Sequence, residues 1–99
     1  DVIWNGFSES LKIAELANIN ETNISCHNFN GHLSTYISMH FCSLVNNFKI
    51  GEVDVDDVPW KDEIFSDIPK IRNGSFLFNE KPGWGCDINE NALKKYSWD

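Results

Sequence analysis

The sequence predicts an α/β fold, and three observations predict it. Leu33, Tyr36, Ile37, His40, Phe41, Leu44 and Val45 recur at helical spacing, the clearest periodicity in the chain. Two stretches of strand length, Ile24-Ser25-Cys26 and Phe48 to Val53, flank that helix. A second helical pattern precedes the first of them.

Taken in order, Asp1-Val2-Ile3-Trp4 reads as the end of a buried strand, broken by Asn5-Gly6. Ser8 is the expected N-cap of a helix running to about Asn18, with Leu11, Ala14 and Ala17 on one face beside Ile13 and Leu16. Asn18 to Asn23 is a polar turn. His27-Asn28-Phe29-Asn30-Gly31 is a loop, because Asn and Gly tolerate turn dihedrals. The next helix spans Leu33 to about Asn46. Residues 1–53 therefore read β-α-β-α-β, with connections short enough for right-handed parallel crossovers.

Residues 54–99 change character and form a C-terminal extension. Asp54 to Asp67 is acidic and irregular, anchored by Val58-Pro59-Trp60 and Ile64-Phe65. Ile71-Arg72, Asn73-Gly74 and Phe76-Leu77-Phe78 predict a hairpin, since Asn-Gly suits a type I′ turn. Lys81-Pro82-Gly83-Trp84-Gly85 is a rigid turn. Asp87 or Asn89 is positioned to cap a short last helix ending near Tyr96.

The 99 residues (11.4 kDa) suffice for one small core. At 41% hydrophobic and 23% charged, the composition is globular. A net charge of −7 argues against nucleic acid, whose phosphates would be repelled. No apolar run approaches the roughly 20 residues of a membrane span. The chain starts at Asp1 without a signal peptide or Met, so it is expected to be a piece of a longer protein. Cys26, Cys42 and Cys86 form neither a disulfide framework nor a CxxC knuckle, which suggests reduced thiols in a cytoplasmic protein, two of them buried. The sequons at Asn20, Asn23 and Asn73 carry little weight in an Asn-rich chain.

Parallel strands need cover on both faces or closure into a barrel. Only three are expected here, so open edges should make the chain associate, most simply with a second copy. In α/β folds the reactive groups gather at the carboxyl ends of parallel strands. His27 follows one predicted strand, Glu52 lies near the end of another, and Asp1 belongs to the strand that opens the chain. Taken singly, each has a bland reading as a loop or solvated group. His40 sits on the apolar helix face as a core histidine, and His32 either faces the same rim or caps its helix. The spacing of His27, His32 and His40 matches no helical metal pair.

The residues also resemble a known family. Asp1-Val2-Ile3-Trp4-Asn5-Gly6-Phe7-Ser8-Glu9, with Lys12-Ile13-Ala14-Glu15-Leu16-Ala17, is similar to the sixth strand and helix of the mandelate racemase/muconate lactonizing enzyme group of the enolase superfamily. Gly6-Phe7 replaces the Gly pair usual there. Ile24-Ser25-Cys26-His27-Asn28-Phe29-Asn30-Gly31 resembles the end of the seventh strand in galactonate-dehydratase-like members, and Phe48-Lys49-Ile50-Gly51-Glu52 resembles their eighth strand. Lys81-Pro82-Gly83-Trp84-Gly85-Cys86-Asp87-Ile88-Asn89 is similar to their C-terminal Pro-Gly-x-Gly stretch.

The resemblance implies the C-terminal fragment of a TIM-type (β/α) barrel, about strands six to eight, plus a segment returning toward an absent capping domain. It also implies proton abstraction α to the carboxylate of a sugar-acid substrate, with Mg²⁺ held by ligands that are not in this chain. His27 would be the base, Asp1 its orienting carboxylate and Glu52 the acid facing the enediolate. Asn28 and His32 would contact substrate, with the register between His27 and His32 left open. The fragment alone is expected to be inactive. The other reading is a free-standing oligomeric α/β module with a binding or structural role.

Overall fold

The computed structural model describes residues 1–55 and 58–97. Asp56 and Asp57, in the acidic stretch, and the terminal Trp98 and Asp99 lie outside the described residues. The elements are α1 (Val2–Asn5), α2 (Phe7–Ile19), β1 (Ile24–Cys26), α3 (His32–Leu44), β2 (Phe48–Gly51), α4 (Lys61–Ile64), β3 (Lys70–Arg72), β4 (Ser75–Leu77) and α5 (Glu90–Lys95).

The opening residues are a helical turn and not the strand expected from their apolar run. Local capping decides this. Asp1 Oδ1 accepts the Ile3 N–H at 2.9 Å, and Gly6, at φ 79°, ends the turn. Val2 is buried while Trp4 is 86% exposed. The described N-terminal half is thus α-α-β-α-β, with β1 and β2 as its two strands. α2 begins one residue before Ser8, with Gly6 in the cap position. The Gly6 carbonyl accepts from both the backbone and the hydroxyl of Ser10.

β1 and β2 pair in parallel, with α3 crossing between them. The register is Ile24 to Phe48, Ser25 to Ile50 and Cys26 to Gly51, with an irregularity after Ile24. Asn47 secures the entry to β2. Its buried amide donates to the carbonyls of Ala14 (3.1 Å) and Thr22 (2.9 Å), and its own carbonyl accepts the Ile24 N–H. The core lies between α1, α2, β1 and α3: Val2, Ala14, Cys26, Met39, Phe41 and Cys42, with Phe7, Leu11, Ile24 and Ile37 against them. The Cys26 and Cys42 thiols are buried 3.5 Å apart, and Cys86 is half-buried.

The C-terminal segment folds onto α3. The β3–β4 hairpin turns at Asn73 (φ 52°) and Gly74 (φ 75°), the left-handed pair that a type I′ turn requires. The Phe76 ring meets Tyr36 edge-on at 5.4 Å, and Phe78 and Trp84 pack around His40. An antiparallel bridge, Phe65 to Ile88, brings α5 beside α4. Asn89 caps α5 by accepting the Ala92 N–H, and Trp60 stacks on Tyr96 at 5.0 Å.

Candidate active site

Cys26 and Gly51 are the last register partners of a parallel pair. The next residues of both strands, His27 and Glu52, therefore emerge at the same end of the sheet. The capping turn at the start of the chain brings Asp1 to that end as well. His27 Nδ1 lies 3.3 Å from Asp1 Oδ2, and His27 Nε2 lies 3.9 Å from Glu52 Oε2. Asp1 divides its carboxylate: Oδ1 caps α1 and Oδ2 faces the imidazole. A carboxylate beside Nδ1 favours the tautomer with the proton on Nδ1, leaving the Nε2 lone pair directed away from Asp1. The His27 side chain is 64% exposed, so a substrate can reach Nε2.

Glu52 is held by its neighbour across the sheet. The Asn28 N–H donates to Glu52 Oε2 at 2.6 Å, and the Asn28 side-chain NH₂ donates to the Glu52 carbonyl at 3.0 Å. Asn28 is 0% exposed. Its NH₂ also reaches Thr35 Oγ1 (2.9 Å), and its Oδ1 accepts from the Ser34 hydroxyl (2.8 Å). The sequence marked neither Ser34 nor Thr35. Their position three and four residues past Gly31, on the first turn of α3, is the only signal that they face the loop.

The other expected residues stand apart. His32, at the start of α3, is buried, with Nε2 2.6 Å from Asp62 Oδ1 and its ring edge-on to Phe65. It joins α3 to α4 and is not brought to His27. His40 Nε2 meets the Trp84 carbonyl at 3.2 Å, between the Phe78 and Trp84 rings. Among the described residues, no group of three or more His, Cys, Asp or Glu is arranged to hold a metal ion. An imidazole flanked by two carboxylates can accept a proton at Nε2 and, from a carboxyl group nearby, supply one to an oxygen.

The family model described as "Enolase C-terminal domain-like" matches residues 1–92. A D-galactonate dehydratase family member of Musicola paradisiaca is 32% identical over 100 residues, covering 95% of this chain and 23% of that protein. A Burkholderia xenovorans structure provisionally designated an L-alanine-DL-glutamate epimerase, bound to magnesium and fumarate, superposes with a TM-score of 0.93. It is 42% identical, covering 97% of this chain and 24% of its own. A mandelate racemase/muconate lactonizing enzyme-like protein of Rubrobacter xylanophilus superposes at 0.79 with 27% identity, covering 94% of this chain and 24% of its own. The chain thus spans about a quarter of the length of these relatives.

Proposed function

The chain belongs to the enolase C-terminal domain-like family, and on that premise we propose that it is the C-terminal part of an acid-sugar dehydratase or racemase. In this reading β1 and β2 are the seventh and eighth strands of a (β/α) barrel, and Asp1 stands just after the sixth. A whole barrel takes about 250 residues, so the remaining strands would lie outside these 99. The substrate class is a small polyhydroxy carboxylate, and the setting is cytoplasmic.

One observation carries the reading: His27 lies between Asp1 and Glu52, with its side chain 64% exposed. His27 Nε2 takes the proton from the carbon α to the substrate carboxylate. Asp1 holds the ring in the tautomer that allows this and stabilises the imidazolium that forms. Glu52, in its acid form, donates a hydrogen bond to the enediolate oxygen as negative charge develops there. In a dehydration the β C–O bond then breaks, the departing hydroxide takes the proton held by the His27 imidazolium and leaves as water, and an enol remains that rearranges to a keto acid. In a racemisation His27 keeps that proton, and a second acid on the opposite face, which would lie outside these 99 residues, supplies the new α proton.

The Mg²⁺ that the family implies does not fit this set. Both carboxylates face the imidazole, and among the described residues no group of three or more His, Cys, Asp or Glu is placed to hold a metal ion. Its ligands would be residues beyond these 99, and the chain by itself turns over no substrate. The test is an aldonic acid panel with Mg²⁺, reading keto acid formation and solvent deuterium entering the α position. The protein carrying this chain within a full barrel is active, and His27→Asn lowers kcat by about 10²–10⁴-fold. Turnover by the 99 residues alone, or full activity in His27→Asn, overturns the proposal.

A second reading is favoured by the apolar surface. Trp4, Ile50 (66% exposed) and Phe29 lie open, and β1 and β2 each have an unpaired edge. They suit a free-standing module that binds a second copy of itself.

A further inference from the structure

The strand ladder stops one residue short of the groups that would react. Cys26 and Gly51 are its last partners, so backbone pairing does not fix His27 or Glu52. Something else must hold them. Asn28 makes four hydrogen bonds at that point, and two of them go to Glu52: one to its carboxylate and one to its carbonyl. The other two tie the Asn28 amide to the hydroxyls of Ser34 and Thr35, on the first turn of α3. The amide thus rests on a helix and grips the residue across the sheet.

We propose that Asn28 is a positioning residue that sets the separation between the His27 imidazole and the Glu52 carboxyl group. The proposal rests on the roles assigned above to His27 and Glu52. A substrate-contacting amide needs a face open to solvent, and Asn28 has none. A buried amide stays in a core only when its polar atoms are paired, and the partners of this one are two hydroxyls on the first turn of α3 and the carbonyl of the residue after β2. His27 directly precedes Asn28, so the peptide plane that delivers the N–H to Glu52 also fixes where the imidazole begins. Glu52 Oε2 is engaged by that N–H, which leaves Oε1 as the oxygen that carries a proton toward substrate.

Two measurements test this, one of which needs no turnover. In an NMR spectrum of the protein, the Asn28 backbone amide proton lies far downfield because of its short bond to a carboxylate. Glu52→Gln, which replaces the accepting carboxyl oxygen with an amide oxygen, shifts it. An Asn28 amide that ignores Glu52→Gln overturns the proposal. The second measurement separates kcat from KM. Asn28→Ser stays neutral and polar but is too short to span α3 and Glu52. Within the full barrel it lowers kcat about 10²-fold with KM unchanged, as a misplacement near 1 Å does. Thr35→Val, which removes one partner without touching Glu52, costs less. A raised KM with kcat retained returns Asn28 to a substrate-contact role and overturns positioning. Asn28→Ala strands the Ser34 and Thr35 hydroxyls and serves as the stability control. A protein whose Asn28 signal responds to Glu52→Gln but which dehydrates or racemises no sugar acid retains the grip on Glu52 and defeats the reaction proposed for it.

Discussion

Asp1 does two jobs with two oxygens, and they can be separated. Oδ1 caps α1 through the Ile3 N–H, and Oδ2 faces His27 Nδ1. Asparagine is an equally good N-cap but carries no charge. Asp1→Asn therefore keeps the opening turn and removes the charge beside His27 Nδ1, which on the proposed reading orients the base. In the protein carrying this chain within a full barrel, the expected result is an unchanged melting temperature with kcat lowered by on the order of 10²-fold or more, since a wrong imidazole tautomer alone is that costly. A fall in melting temperature matching the fall in rate would make Asp1 a structural cap and nothing else. Individual residues also show what a sequence can and cannot say. His27 and Glu52 were legible because a parallel pair must end at a common rim. Asp62, the partner of His32, was not, because their contact depends on how the acidic segment folds back over α3.

Among the elements, periodic and turn signals were accurate, and the short apolar run was not. α3 follows its helical spacing to within two residues, and the hairpin forms at Asn73-Gly74. Val2–Asn5 became a helical turn because an Asp cap and a positive-φ Gly outweigh three apolar residues with no strand beside them. β2 ends at Gly51, where a Cβ would come 2.7 Å from Met39 Cε and 3.2 Å from its Sδ. The thioether end can swing, so Gly51→Ala should destabilise by about 1 kcal/mol, at the low end for overpacking. Denaturant melts check this, and a double variant with Met39→Ala should show no further strain from the added methyl group. The hairpin half carries a pH dependence. Lys81 and the Ser66 hydroxyl hold the Asp67 carboxyl below its ordinary range, and Lys95 and Tyr96 do the same for Glu63. A depressed carboxylate stabilises the fold above the unfolded value, and that contribution is lost as pH falls through the folded one. Acid titration below about pH 4 should therefore loosen residues 63–97 before α3, as read by amide exchange. Asp67→Asn should flatten part of that response.

At the scale of the whole molecule the dominant fact is uncovered surface. The radius of gyration is 14.6 Å, against about 13 Å for an independent domain of this length. Extents of 47 × 32 × 27 Å describe an elongated body. Among the described residues the parallel sheet has two strands and two open edges, and parallel sheets are ordinarily covered. An apolar cleft of about 610 Å³ lies between α3, β2 and the hairpin, lined by residues such as Met39, Phe48, Ile50 and Phe76. The 99 residues in isolation should therefore self-associate, and light scattering should give a mass that rises with concentration. A clean monomer of 11.4 kDa at all concentrations would count against open edges as association sites. The expectation of uncovered strands came from counting them in the sequence. The cleft beside the hairpin did not, because it depends on how β4 leans on α3.

Successive side chains along the loop after β1 point opposite ways: His27 out to water, Asn28 into the protein. On the proposed reading, chemistry and anchorage fall to separate positions on one short peptide. A substitution of the outward group would on that reading alter the reaction and leave the mounting intact, because the hydrogen bonds to Glu52, Ser34 and Thr35 belong to the inward one. A substitution of the inward group would undo both at once.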